Sequence, residues 1–189
     1  MIFTQANEYA AVLDACVLVP MALCDFLLRL AEEPALYRPL WSVDILNELS
    51  RTLQEKMKKT PEQAEWRLSQ MQSAFPEAMV SFPTDLIKGM DCVPDPQDRH
   101  VLAAAVMGRA SAIITQNLKH FPHECLEKYG VLIQSADGFL IDQYHLEQQV
   151  VLDKLDDQAI GISQTRAVVV GALKPSAPEF CKLLEAHLG

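Results

Sequence analysis

The chain has 189 residues, which fits one compact domain with room for a small appendage. Half of the residues are hydrophobic, so a sizeable core is available. The net charge of −9 argues against a protein that binds nucleic acid without sequence preference, because such proteins usually present a basic surface to phosphate. It does not exclude a metal-dependent nuclease, since bound cations offset nearby acids.

The N-terminal sequence and the cysteines favour a cytoplasmic protein. No apolar run reaches the length of a transmembrane helix, and residues 1–8 lack the basic segment of a signal peptide. The five cysteines are odd in number and form no C-x-x-C pair. We therefore expect neither a structural zinc nor a disulfide framework, and a reducing cytoplasm fits this pattern.

Predicted strands and helices alternate along most of the chain. The predicted strands are short apolar segments at 9–13, 37–41, 79–82, 111–115 and 131–133. The predicted helices are 17–30, 43–57 after the N-cap Ser42, 61–74 after the N-cap Thr60, 99–107 and 136–144. This alternation is typical of an α/β fold with a mainly parallel sheet.

The last part of the chain has helical spacing and no strand alternation. Gly161 and the segment Pro175–Pro178 divide it into shorter helical pieces. We therefore predict an α/β domain over residues 1–145 and a small helical C-terminal extension over 146–189.

Acidic and amide side chains stand near the ends of several predicted strands. Asp14 ends the first strand, Glu48 lies in the helix after the second, and Asp98 is placed to cap or open the helix before the fourth. Thr115 and Asn117 follow that fourth strand. Ligands of open parallel sheets bind beyond the carboxyl ends of the strands, so these side chains should converge there. Because clustered carboxylates repel one another, the pattern favours a site for Mg²⁺ or Mn²⁺.

Several neighbouring residues have ordinary structural interpretations. Asp95, which stands between two prolines, is typical of an Asx-turn. Cys16 is interpreted as a small buried hydrophobic residue. The histidines His100, His120 and His123 have no zinc spacing with a cysteine pair, so we expect core or surface roles for them.

The most basic segment follows the predicted helix 43–57. Lys56, Lys58 and Lys59 lie there, with Arg51 and Arg67 nearby. Such a segment is most often a solvated helix end, but it is also the best available patch for an RNA backbone. The predicted RNA-binding residues are Arg51, Lys56, Lys58 and Lys59.

Four segments, in order, resemble the PIN-domain nucleases, the fold of VapC-type toxins in bacterial toxin–antitoxin modules. They are residues 12–18, 41–49, 94–105 and 114–122, and the resemblance covers roughly residues 9–140. It implies a PIN-like three-layer fold with a mainly parallel central sheet flanked by helices. The nuclease domain would be 1–145, and 146–189 resembles the helical extension of one subgroup.

The resemblance also implies a role for each matching residue. The implied catalytic residues are Asp14, Glu48, Asp98 and Asn117, the three acids also binding metal, and the supporting residues are Thr115 and Asp95. The family often has an acid where this chain has His120. We therefore expect a less negative site that binds a second metal ion more weakly.

The implied activity is that of a Mg²⁺- or Mn²⁺-dependent endoribonuclease, the toxin of a toxin–antitoxin pair. Its implied partners are an RNA substrate, an antitoxin protein and a second copy of the chain. One alternative is a catalytically weak PIN-like domain that only binds RNA or protein. Another is a phosphatase with an aspartyl nucleophile, although Cys16 stands where such an enzyme needs its second acid. A two-component receiver domain lacks its acid pair and strand-end lysine here.

Overall fold

A five-stranded, entirely parallel sheet lies at the centre of the computed structural model, which describes residues 9–188. The strands are β1 (Ala10–Leu13), β2 (Arg38–Ser42), β3 (Met79–Val80), β4 (Ala112–Ile114) and β5 (Leu132–Gln134). Their order in the sheet is β3-β2-β1-β4-β5. The chain therefore changes direction across the sheet between β1 and β4, where α/β proteins commonly bind ligands.

Helices lie between successive strands and after the last one, as the predicted alternation requires. They are α1 (Ala15–Leu18), α2 (Met21–Leu30), α3 (Val43–Glu55), α4 (Pro61–Ala74), α5 (Thr84–Gly89), α6 (Arg99–Met107), α7 (His123–Glu127), α8 (Ala136–Leu146), α9 (Gln148–Gly161), α10 (Arg166–Leu173) and α11 (Pro178–Leu188). Short 3₁₀ helices occupy Pro76–Ala78 and Leu118–His120. The predicted α/β class and the C-terminal helices are confirmed.

Strand β1 is a continuous apolar segment because both of its faces are buried. All its residues are buried, and successive side chains of a strand point to opposite faces of the sheet. Both faces of the sheet are therefore covered at β1. Val12 of β1 pairs with Leu40 of β2 on one side and with Ile113 of β4 on the other, so this strand fixes the centre of the site described below.

Local sequence signals set several helix starts. The Ser42 hydroxyl accepts a hydrogen bond from the Ile45 amide at 3.3 Å and caps α3. Thr60 and Gln63 form a reciprocal capping box at the start of α4. Both starts agree with the sequence prediction.

The single helix predicted over 17–30 is instead two helices, α1 and α2. Pro20 occupies the N-cap of α2 with extended backbone angles, which ends α1 before it. Arg67 is buried, and its guanidinium donates to the carbonyl oxygens of Leu18 and, at 3.1 Å, of Val19. Its assignment to the basic surface was therefore wrong, because its charge is used to satisfy the end of α1.

Cys92 and Cys125 form a disulfide, contrary to the expectation of reduced, unpaired cysteines. The two residues are 33 positions apart, and only the tertiary fold brings their Cα atoms to 5.4 Å. Sequence spacing could not reveal this pair. The bond joins the loop before α6 to α7, and Cys16, Cys24 and Cys181 stay free.

The C-terminal helices pack on the α/β layers. Helix α9 packs against α2, and α11 packs against α8. The Phe180 ring of α11 lies 5.8 Å from the Phe26 ring of α2, and the Gln158 amide donates to the Ala22 carbonyl at 2.9 Å. One hydrophobic core thus includes both parts. The division at residue 145 remains a prediction. No helix within residues 9–188 is long and apolar enough to cross a membrane.

Candidate active site at the carboxyl edge of the sheet

Asp14 lies directly beyond β1 and is held by the next strand of the sheet. Its backbone amide donates to the Ile114 carbonyl at 3.1 Å, and only 3% of the residue is exposed. The Thr115 hydroxyl, also buried, donates to Asp14 Oδ2 at 2.6 Å. This short bond to a charged acceptor fixes the orientation of the Asp14 carboxylate.

Cys16 is part of the same polar group, which the sequence interpretation missed. Its thiol donates to Asp14 Oδ2 at 3.1 Å, and its sulfur accepts from the Gln116 amide at 3.2 Å. Burial, followed by the nearby Asp14 charge, raises the pKa of Cys16 to about 12. The residue is therefore a protonated hydrogen-bond donor rather than a small hydrophobic residue. Such a weak acid is also a poor substitute for the second acid of an aspartyl phosphatase.

Glu48 projects from α3, which its Ser42 cap and its buried stripe anchor against the sheet. The Glu48 side chain is half-buried and 35% exposed. Burial raises its pKa, and the charges of Asp14 and Asp98 raise it further. Asp14 follows β1 and Asp98 precedes α6, yet both carboxylates affect the pKa of Glu48, and Asp14 also affects that of Asp98. The three acids therefore lie close enough to repel one another.

Asp98 stands at the start of α6 but does not cap it. It opens the helix, which is one of the two predicted roles, and its side chain makes no capping bond. Its carboxylate instead contacts His120, with 2.7 Å between Asp98 Oδ2 and His120 Nδ1. The pKa of the Asp98 carboxyl is raised overall. Burial is the largest cause and the charges of Asp95 and Asp14 add to it, whereas the hydrogen bond and the charge of His120 act in the opposite direction. The carboxylate thus faces the site and not the helix axis.

Asp95 and Asn117 flank these acids. Asp95 Oδ1 accepts a hydrogen bond from the Gln97 amide at 2.9 Å, which is the predicted Asx-turn. The Asn117 backbone amide donates to the Thr115 hydroxyl at 3.0 Å. Thr115 therefore connects Asp14 to the loop that carries Asn117.

A cleft of about 630 Å³ opens over this group. Its walls include the side chains of Asp44, Asn47, Glu48, Arg51, Asp95, Asp98, His100, Asn117 and His120. The predicted acids Glu48 and Asp98 thus line the cleft, whereas Asp14 is buried beside them at the strand ends.

The predicted RNA-binding residues are divided between two surfaces. Arg51 lines the cleft. Lys59 lines a separate groove with Met21 and Trp66. Lys58 donates to the Glu55 carbonyl at 2.8 Å, and Lys56 is exposed beyond the end of α3. Arg51 is therefore the cation of this set that the fold brings to the acids.

The donor atoms suit a divalent cation. Within the described part of the chain, Asp95, Asp98 and His120 form a set of possible ligands whose ligand atoms all lie within 4.8 Å of one another. Carboxylate oxygens with an imidazole nitrogen are donors that Mn²⁺ accepts readily and Mg²⁺ less so. Asp14 and Glu48 lie outside this set, and their metal-binding roles remain predictions. The chemistry of the donors fits a metal ion at this edge.

Two histidines near the acids were not assigned to the site from the sequence. His120 contacts Asp98, and His100 places its Nε2 atom 3.6 Å from Glu48 Oε2. His123, in contrast, is exposed on α7 beside Glu127, as expected for a surface residue. No local spacing could have indicated His100, because its contact is with Glu48 on a different helix.

Comparisons with known proteins found a matching family and a similar protein. The sequence profile of a family described as a PIN domain matches residues 10–119, more than half of the chain. The chain is 40% identical over 87 residues to a protein of Mycobacterium tuberculosis named "Putative ribonuclease VapC50". That stretch is 44% of this chain and 52% of the relative, so the chain spans about half the length of the curated relative it matches.

Proposed function

The chain belongs to the PIN-domain family, and we propose that it is a Mg²⁺- or Mn²⁺-dependent endoribonuclease that hydrolyses phosphodiester bonds in RNA. The observation that carries this proposal is the convergence of Asp14, Glu48 and Asp98 at the carboxyl edge of the sheet. The pKa values of Glu48 and Asp98 are raised by burial and by neighbouring acids. Acids in that position are costly without a cation, and a bound cation would relieve the repulsion.

Asp14, Glu48 and Asp98 are the proposed metal-binding residues, with Asp95 and His120 beside them. A divalent cation held there would lower the pKa of a water molecule and offset negative charge on the phosphate. The chain's own contribution is to hold the acids in place. Thr115 and Cys16 orient Asp14, while His120 orients Asp98.

The residues on the cleft wall suit an RNA strand. Arg51 is a cation that can pair with a phosphate, and the proposed role of Asn117 is to donate its amide hydrogens to the substrate. The local basic charge at the cleft matters because the whole chain carries −9. Lys56, Lys58 and Lys59 remain a proposed outer contact for a longer RNA.

The proposed biological role is the toxin of a toxin–antitoxin pair. The support is the similarity to a relative whose name designates it a VapC ribonuclease. An antitoxin protein, a second copy of the chain and a cytoplasmic location are parts of the same proposal. The proposed nuclease domain is 1–145, and 146–189 is the helical extension packed on it.

The activity test uses purified protein, a mixed pool of cellular RNA and added Mn²⁺. We expect cleavage that EDTA abolishes and Mn²⁺ restores. Asp14→Asn and Asp98→Asn should each lower the cleavage rate by about 100-fold or more, the scale of losing an electrostatic stabiliser. Asp157→Asn, which neutralises an exposed acid on α9, is the matched control and should cleave normally. Cleavage that persists in EDTA would contradict the proposal.

Metal binding is tested separately by isothermal titration with Mn²⁺. The Asp14→Asn/Asp98→Asn double variant should bind Mn²⁺ far more weakly than the wild-type protein. An unchanged affinity would exclude these acids as ligands.

A further inference from the structure

His100 is a buried polar residue whose surroundings do not satisfy it. It lies in the first turn of α6, a helix that packs on the sheet and contacts α3. The residue is 9% exposed, and its Nε2 atom has no hydrogen-bond partner among residues 9–188. A buried imidazole nitrogen without a partner costs roughly 1–3 kcal/mol, so its place in a mostly apolar helix requires an explanation.

The nearest charged group to this nitrogen is the carboxylate of Glu48. Nε2 of His100 lies 3.6 Å from Oε2 of Glu48, across the contact between α6 and α3. An N–H···O bond to a carboxylate is usually about 2.7–2.9 Å long, so a movement of less than about 1 Å would close the gap. Helix packing fixes the imidazole, whereas Glu48 is a flexible side chain at the cleft wall.

We propose that His100 is a positioning residue that donates from Nε2 to Glu48 and thereby holds this carboxylate where it serves the metal site. The inference rests on the proposed metal-dependent function and adds a residue to it. The arrangement differs from that of the other acids. Asp14 and Asp98 each have a close donor already, at 2.6 Å from Thr115 and 2.7 Å from His120.

The proposal requires a donor at the position of Nε2 and not merely a side chain of suitable size. His100→Gln keeps an amide N–H that reaches this position. His100→Leu keeps the bulk but has no donor, and His100→Asn keeps an amide that is too short to reach Glu48. Partners that orient metal ligands commonly contribute about 10- to 100-fold to metal affinity.

The test is isothermal titration of these variants with Mn²⁺. We expect the affinity to fall about 10- to 100-fold in His100→Leu and His100→Asn, and to stay near the wild-type value in His100→Gln. In a Glu48→Ala background, which has no acceptor for the His100 donor, His100→Leu should cause no further loss. His123→Gln, at the exposed histidine of α7, is the control and should bind normally.

Equal affinities in the Gln and Asn variants would overturn the proposal, and so would a further loss in the Glu48→Ala background. If His100→Leu does not fold, the Gln and Asn variants decide the question by themselves. Long-range ¹H–¹⁵N NMR of the metal-free protein gives a readout that does not depend on metal binding. It should show a proton on His100 Nε2 whose resonance moves in Glu48→Gln, and an unprotonated Nε2 would refute the proposed donor. A wild-type protein that binds no Mn²⁺ would instead refute the proposed function.

Discussion

Thr115→Val should destabilise the protein by removing one hydroxyl from the site. Valine has nearly the shape of threonine, so the core around the position stays filled. The lost interaction is the 2.6 Å bond from the Thr115 hydroxyl to Asp14, between residues that are 0% and 3% exposed. A hydrogen bond to a charged group contributes about 1.5–3 kcal/mol, and here the carboxylate left behind stays buried.

The expected loss is therefore about 1.5–3 kcal/mol in the free energy of unfolding. For a chain of 150–250 residues each kcal/mol shifts Tm by about 2–4 °C, so Tm should fall by about 3–12 °C. The Asn117 amide also loses its acceptor, which favours the upper part of this range. Cys16 cannot compensate fully, because its thiol is a weaker donor at 3.1 Å from the same oxygen.

Urea denaturation in EDTA, followed by circular dichroism, measures this loss without a contribution from bound metal. Thr115→Ser keeps the hydroxyl and serves as the control, with stability much closer to that of the wild type. A Thr115→Val protein as stable as the wild type would refute the assigned role of this bond. Equal losses in the Val and Ser variants would attribute the effect to the methyl group instead.

Three further outcomes are expected, and the last of them concerns the proposed homodimer. Glu48→Gln should raise the Tm of the metal-free protein near pH 7. Folding raises the pKa of the Glu48 carboxyl, so the wild type loses stability as the pH increases above 4.5, the ordinary pKa of a glutamate. Melts of both proteins at pH 4 and pH 7 should show a difference in Tm at pH 7 only. Cys92→Ser should lower the free energy of unfolding by about 2–4 kcal/mol and make the melt insensitive to dithiothreitol, and an unaltered melt would exclude the disulfide. Sedimentation should show an apolar homodimer that persists at low and high ionic strength; a monomer under both conditions would exclude it.

The correct predictions depended mainly on local signals and on topology. Ser42 and Thr60 cap their helices through bonds to residues three positions ahead, so the signal and its partner stand in one short segment. Asp14 and Thr115 meet because β1 and β4 are neighbouring parallel strands, and parallel strands present their carboxyl ends at one edge. The resemblance to the PIN family implies metal-binding roles for Glu48 and Asp98, which line the cleft, and those roles remain predictions.

The missed features depend on contacts between distant segments. Asp98 occupies a capping position, but His120, 22 residues away, provides a closer donor than the helix does. The fold brings Cys92 and Cys125 together as a disulfide. The buried Arg67 donates to carbonyl oxygens 48 and 49 positions earlier in the chain. No spacing rule within one segment can indicate such partners. The sequence analysis therefore gave these residues the roles that are most common for their residue types.

The three acids are restrained to different extents, and this difference determines which is the most informative to perturb. Asp14 is fixed by Thr115 and Cys16, and Asp98 is fixed by His120. Glu48 has a raised pKa and lacks such a close donor, since His100 is 3.6 Å away. Its carboxylate is therefore the one that a cation would reposition most, at the lowest cost to the fold. Binding of the proposed metal should consequently order Glu48 against the His100 imidazole, which helix packing already fixes, while Asp14 and Thr115 stay as they are.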